Sequence, residues 1–226
     1  MVKIMSSGLQ EDLDARQDDL DLIIKLTSFL SKQVNSSIKG SNDVELQIND
    51  ELLDILKSVI HMMNYNQVES TLTLGMEKLY DDFSDNEVGY SQLKPSIQRK
   101  VLSAVHKNDT NIYKAVTNNL DLNVADASLD LTKLFNGNVT LSTFDDIKQS
   151  YDIRVNGPRR DELEEDFNTL KKTRNDLSHG NKSYSELGRQ NSLKNFLEVS
   201  SSVSSYMQHT VTAFDTYINN KKYLVD

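Results

Sequence analysis

Between Asn49 and Phe83 apolar side chains return at helical spacing, through Leu52, Leu53, Leu56, Val59, Ile60, Met63, Val68, Leu72, Met76, Leu79 and Phe83, and no proline interrupts them. Asn49-Asp50-Glu51 opens the run and SDNEVGYS at 84–91 closes it, which predicts a helix of eight or more turns. A helix that long needs other helices to cover it. The remaining chain is suited to supply them: only eight glycines and two prolines, Pro95 and Pro158, punctuate 226 residues. Such scarcity of breakers favours long helices over many short strands.

Upstream, Leu13, Leu20, Ile23, Ile24, Leu26, Phe29, Leu30 and Val34 predict a first helix at about 10–35, and SSIKGSND at 36–43 supplies polar turn chemistry. Weaker patterns at 95–106, 112–120 and 125–135 predict short helices inserted within about 91–150. A turn at Asn136-Gly137 precedes another helix, with Ser142 or Thr143 as its N-cap and Asp145 and Asp146 in its first turn. VNGPRRD at 155–161 is the next boundary. Beyond it Leu163, Phe167, Leu170 and Leu177 predict a helix ending at His179-Gly180. The serine-rich EVSSSVSS at 198–205 resembles a linker, but Val203, Met207, Val211, Phe214 and Ile218 step by four, four, three and four, which marks a packed helix over about 190–217. Its serines form the wet or closely packed side. With no repeat and no alternation long enough for a sheet, the expected architecture is all-α: one domain over 1–226, an antiparallel helical bundle with short inserted helices.

The absence of cysteine excludes disulfides, thiol nucleophiles and thiolate zinc sites, and points to the cytoplasm. LIIKLTSFL at 22–30, the best apolar run, is broken by Lys25 and too short to span a bilayer, so a soluble protein without membrane contact is expected. The formal charge is −9, yet residues 151–226 are balanced and all the excess acid lies upstream. In that neutral part Arg154, Arg159, Arg160, Lys171, Lys172 and Arg174 gather, interleaved with Glu162, Glu164, Glu165 and Asp166. They suit either a solvated helix face or a nucleic-acid contact.

Among the four histidines none has the close spacing of a helical metal pair, none belongs to HExxH, and neither a phosphate loop nor a GxSxG elbow occurs. No metal and no cofactor is expected. His61, His106 and His209 are expected to be satisfied core or helix-surface residues. His179 stands apart, at the end of LKKTRNDLSHGNKSYSELG, residues 170–188. It follows Arg174 by five positions, so in an unbroken helix the two side chains would point about 140° apart. Gly180, suited to a helix C′ position, ends the helix and allows them to converge. Asn175, four before His179, shares its face and is placed to orient the imidazole. The same basic residues also complement the negative end of a helix dipole, a purely structural role.

Arg174-Asn175-Asp176-Leu177-Ser178-His179 resembles the R-x4-6-H motif of the HEPN superfamily, helical proteins many of which are metal-independent ribonucleases of bacterial toxin, abortive-infection and restriction-linked systems. YNQVEST at 65–71, LYDDF at 79–83, FNGNVTLSTFDDIKQSYDI at 135–153 and YINNKKYL at 217–224 are similar to blocks of its MAE-type branch. The resemblance runs from about residue 50 to the C-terminus. It implies a HEPN bundle that forms a homodimer with two motifs facing a cleft, an RNA substrate, and a toxin–antitoxin or phage-defence setting with an antitoxin or other partner protein. Arg174 and His179 would then be catalytic with Asn175 beside them, Glu69 and Asn66 would support the arginine, and Lys171, Lys172 and Arg154 would face the RNA. The alternative it leaves open is a non-catalytic HEPN-like binding or regulatory subunit. Some family members carry a tyrosine two residues after the histidine, a site of modification; here Gly-Asn-Lys-Ser follows His179 before Tyr184, which speaks against that mode.

Overall fold

The structure, a computed structural model, describes residues 8–41, 44–108, 138–157 and 160–225. The helices expected at 112–120 and 125–135, and the Asn136-Gly137 turn, lie outside these residues. Among the described residues the fold is all-α apart from one small hairpin. Its elements are α1 (Leu9–Leu30), β1 (Ser36–Lys39), β2 (Glu45–Ile48), α2 (Asp50–Asp85), α3 (Pro95–Asn108), α4 (Leu141–Tyr151), α5 (Arg160–Ser178), α6 (Tyr184–Gly188) and α7 (Leu193–Asn219), with a 3-10 turn at Tyr90–Gln92. No helix among the described residues is long and apolar enough to cross a membrane.

The long helix α2 spans 36 residues, about 54 Å at 1.5 Å per residue. Asn49 starts it as read, its Oδ1 accepting from the Leu52 amide at 2.9 Å. Pro95 opens α3 at the first helical position, where its missing N–H costs nothing. The polar 36–43 stretch departs from expectation: Ser36–Lys39 pairs antiparallel with Glu45–Ile48. Four residues of alternation are too few to separate a strand from a turn by pattern. The α4 start also differs. Thr140 is the N-cap, with Thr143 Oγ1 accepting from its amide at 3.1 Å. Leu141 must enter the helix because it begins the buried stripe Leu141, Phe144, Ile147, Tyr151. Asp145 and Asp146 therefore fall beyond the first turn, where the dipole effect has faded. In α7 Val203, Met207, Val211 and Phe214 are buried as expected, but Tyr217 ends the stripe and Ile218 is half-buried.

Two compact units, each built from separate chain segments, divide the chain. The first takes Met1–Gln10, Glu69–Gly157 and Gln208–Asp226. Leu79, Phe83, Leu93, Ile97, Phe144 and Phe214 are in its core. The chain end returns to pair there, the Lys94 amide donating to the Tyr223 carbonyl at 2.9 Å and Val225 to Gln92 at 2.8 Å. Tyrosine hydroxyls here find partners: those of Tyr80 and Tyr151 meet at 3.0 Å, Tyr217 donates to the Tyr151 carbonyl, and Tyr223 donates to Asp82 Oδ2.

The second unit takes Glu11–Val68 and Pro158–Met207. Here the inner face of α2 is mixed: Asp54, Ser58, His61, Asn64 and Gln67 are buried beside Ile60, Tyr65 and Val68, while Leu52, Leu53, Leu56, Val59 and Met63 are only half-buried. Hydrogen bonds make that burial tolerable. Asp54 meets Lys57 at 2.8 Å and Arg189 at 3.4 Å, Ser58 donates to the Tyr184 carbonyl at 2.7 Å, Asn64 is bound by Ser200 and the Ile60 carbonyl, and Gln67 donates to Gln17. On α1, Leu22, Leu26 and Phe29 are exposed at helical spacing, and so are the cross-strand pair Ile38 and Leu46.

Candidate functional site

Helix α5 positions the motif. Leu163, Phe167, Leu170 and Thr173 are buried, with the Phe167 ring edge-on to Tyr206 at 5.8 Å between centroids, and Glu164, Glu165, Asn168 and Lys172 face solvent. Leu177 is half-buried, and Thr173 continues the inner stripe in advance of it.

The helix ends as its glycine dictates. Gly180 has φ +66°, a left-handed conformation that costs a residue without Cβ nothing. Its amide donates to the Leu177 carbonyl at 3.1 Å, and the Asn181 amide reaches the Asp176 carbonyl at 2.8 Å. Those two bonds form a Schellman closure. His179 is thus the first residue outside the helix, and its imidazole is exposed.

Arg174, one turn earlier, is half-buried. Its guanidinium carbon lies 5.8 Å from the centre of the Tyr65 ring, within cation–π range, and Nη1 donates to Asn175 Oδ1 at 3.2 Å. Asn175 therefore holds the arginine through its side-chain oxygen. It meets His179 through its backbone carbonyl, which accepts from the His179 amide at 3.0 Å. The helix thus runs unbroken from Arg174 to Ser178, and the guanidinium fixed on two sides is suited to binding an anion. Asp176 lies between them in sequence; its Oδ2 is buried without a hydrogen bond among the described residues, with the Lys182 ammonium 3.8 Å away.

The other expected residues are placed separately. Lys171 is half-buried and Lys172 exposed on α5. Arg154 belongs to the first unit, where Asp152 holds its guanidinium at 2.9 Å and offsets its charge. Asn66 is exposed, and Glu69 is half-buried in the first unit. Sequence reasoning missed Tyr65, the residue of YNQVEST that contacts Arg174. The available signal was its place one turn before Val68 and Glu69 on a buried stripe.

His61 also needs correction. It is a core residue, 1% exposed, with its ring 4.1 Å from that of Phe196, but its Nε2 has no hydrogen-bond partner among the described residues. Burial pushes its pKa down to about 4, so it is neutral at pH 7. It lines a recess of about 170 Å³ with Thr169, Lys172, Thr173, Leu187, Gln190, Asn191 and Phe196. His209 lies exposed on α7, in the first unit. Among the described residues no three His, Asp, Glu or Cys side chains are grouped to hold a metal.

Comparison with known proteins places the chain. Residues 5–223 match a family model described as HEPN_MAE_28990-like HEPN. No curated protein and no solved structure matches it.

Proposed function

The chain belongs to this HEPN family over nearly its whole length, and from that premise we propose that it is a metal-independent endoribonuclease of a bacterial defence or toxin-type system. The observation that carries the reading is the end of α5, where Arg174 is clamped by Tyr65 and Asn175 while His179, just past the helix, is left open to solvent.

Cleavage proceeds by transesterification. The ribose 2′-OH attacks the adjacent phosphorus and gives its proton to a neutral imidazole. The new O2′–P bond forms as the P–O5′ bond breaks, and an imidazolium returns a proton to the leaving O5′. The products are a 2′,3′-cyclic phosphate and a 5′-hydroxyl. With an unperturbed pKa of about 6.5, an imidazole serves as acid or base near neutral pH. Two roles with one motif histidine per chain call for a homodimer in which His179 of two copies shares one phosphate. Arg174 binds the non-bridging oxygens and stabilises the charge that builds on them. Lys171 and Lys172 draw in the strand, and Tyr65 and Asn175 hold the arginine in place. The protein acts in the cytoplasm, restrained by an antitoxin or another defence-system protein.

The test is cleavage of cellular RNA in EDTA by purified wild type and His179→Ala. The expected result is metal-free cleavage that falls by roughly 10² to 10⁴ in the variant. Equal activity of the two removes the reading; a dimer that binds RNA and never cuts it is the non-catalytic subunit instead.

A further inference from the structure

Seven of the nine large apolar side chains that stand exposed among the described residues fall within 22–55, a stretch of the second unit. Leu22, Leu26 and Phe29 follow one another at helical spacing on α1, the first 62% and the last 59% exposed. The hairpin adds Ile38 and Leu46, which stand opposite each other on its two strands, and α2 adds Ile55. On the same side of α2 as Ile55, at helical spacing from it, Leu52, Val59 and Met62 are half-buried. Together the exposed side chains leave on the order of 600 Å² of apolar surface in water, at the top of the ~300–600 Å² typical of the largest patch on a monomer and most of the ~800 Å² that each side of a stable complex buries. The hairpin points the same way. Two strands alone are marginally stable in water, and these turn their apolar pair outward.

The helices lie side by side here. Gln67 of α2 donates to Gln17 of α1 at 3.1 Å, and the hairpin joins the far ends of the two, so they run antiparallel. Counting equal steps from that bond along each helix reaches Phe29 and Ile55 together, about 18 Å on at ~1.5 Å per residue, and Leu22 and Met62 are level in the same way. Acidic residues close both ends of this stretch: Asp18 and Asp19 in the turn before Leu22, and Asp50 and Glu51 at the start of α2, all exposed. Lys25 and Lys32 are exposed among them. Even so, residues 11–55 hold eleven acidic and four basic residues, seven of the chain's nine net negative charges.

The sign of that charge narrows the occupant. It repels RNA phosphates and an anionic lipid surface, and a second copy would set the same carboxylates against one another. A protein segment with an apolar face and cations beside it meets both requirements. We propose that the outer face of α1, the hairpin and the opening half of α2 docks an amphipathic helix of a partner protein, apolar along one side and flanked by lysine or arginine. That helix lies along Leu22, Leu26 and Phe29 beside Ile55, and its cations meet Asp18, Asp19, Asp50 and Glu51. The surface goes beyond the ribonuclease reading and serves whether or not the chain cuts RNA.

Full-length protein is titrated, without RNA, with two labelled synthetic peptides of about 18 residues, or ~5 helical turns, read by fluorescence anisotropy. Both carry the same leucine face; one is flanked by lysine and the other by glutamate. Leu26→Ser combined with Phe29→Ser, and Leu22→Ser alone, test the face. Val225→Ser, exposed in the first unit, is the control, and thermal melts verify folding. The expected result is lysine-flanked peptide binding at least about tenfold tighter than its glutamate counterpart, a loss of about tenfold or more in the α1 variants, and no change in Val225→Ser. Methyl NMR of wild type should place the peptide at Leu22, Leu26, Ile38, Leu46 and Ile55. No affinity for the lysine-flanked peptide, equal affinity for both, a folded α1 variant that binds like wild type, or shifts confined to other methyls overturns the proposal. So does a wild-type dimer that the α1 substitutions dissociate, which makes a second copy the occupant, or binding to phosphatidylserine vesicles that the same substitutions abolish. Should the α1 variants unfold, the NMR map of wild type decides. A chain that docks the peptide but cuts no RNA keeps this surface and loses the nuclease; one that cuts RNA and ignores the peptide does the reverse.

Discussion

Acidification should expose the cost of burying His61. Its pKa in the folded protein is about 4, held down by burial, against about 6.5 in the unfolded chain. The unfolded state therefore binds the extra proton between these values, and stability must fall as pH is lowered through that window. Above about 6.5 the imidazole is neutral in both states and the native state bears no penalty; the penalty grows below that and levels off near the folded value. From pH 7 to pH 4.5 the loss from this group alone comes to about 2.5 kcal/mol. The assay is urea unfolding at both pH values for wild type and His61→Leu, which cannot titrate. Carboxylates titrate equally in the two proteins, so the difference between their stabilities isolates the imidazole. At a slope of ~2 kcal/mol per molar urea the midpoint gap should change by roughly 1 M. Stabilities that fall in parallel would show that His61 is hydrated or already charged.

Replacing Gly188 with alanine should destabilise the protein by about 3 kcal/mol or more, because a Cβ there would lie 1.8 Å from the Asp54 carbonyl oxygen; a thermal melt within a degree or two of wild type would contradict this. Gly180→Ala, which meets no atom within 4 Å but forces a positive φ on a side chain, should cost about 1 kcal/mol, measured the same way. Arg174→Lys should retain folding but lose most RNA cleavage, since an ammonium cannot bind phosphate in the planar, bidentate fashion of a guanidinium; kinetics on a defined oligonucleotide will show it, and an unimpaired variant would dismiss the phosphate role.

The long apolar periodicities were readable wherever a helix has one apolar face, as in the closing half of α2 and most of α7. The opening half of α2 was legible as a helix, with Ile60 and Val68 buried as read, but its buried polar residues Asp54, Ser58, His61, Asn64 and Gln67 were not, because polarity satisfied by distant partners leaves no periodic trace. The hairpin escaped detection for want of length. At the site, the helix end was legible in Gly180 alone, a local backbone requirement. Tyr65 and the recess were not, because residues 61, 65, 169–173 and 187–196 meet only after folding.

The stretch that follows His179 is fastened at both ends, by the Schellman closure over Gly180 and by the contact of Gly188 with Asp54. A tether of fixed span can swing an imidazole but cannot let it wander. Inserting or deleting a residue within 181–187 must drag on one anchor or the other, so relatives that keep this arrangement should vary there in composition and hardly at all in length.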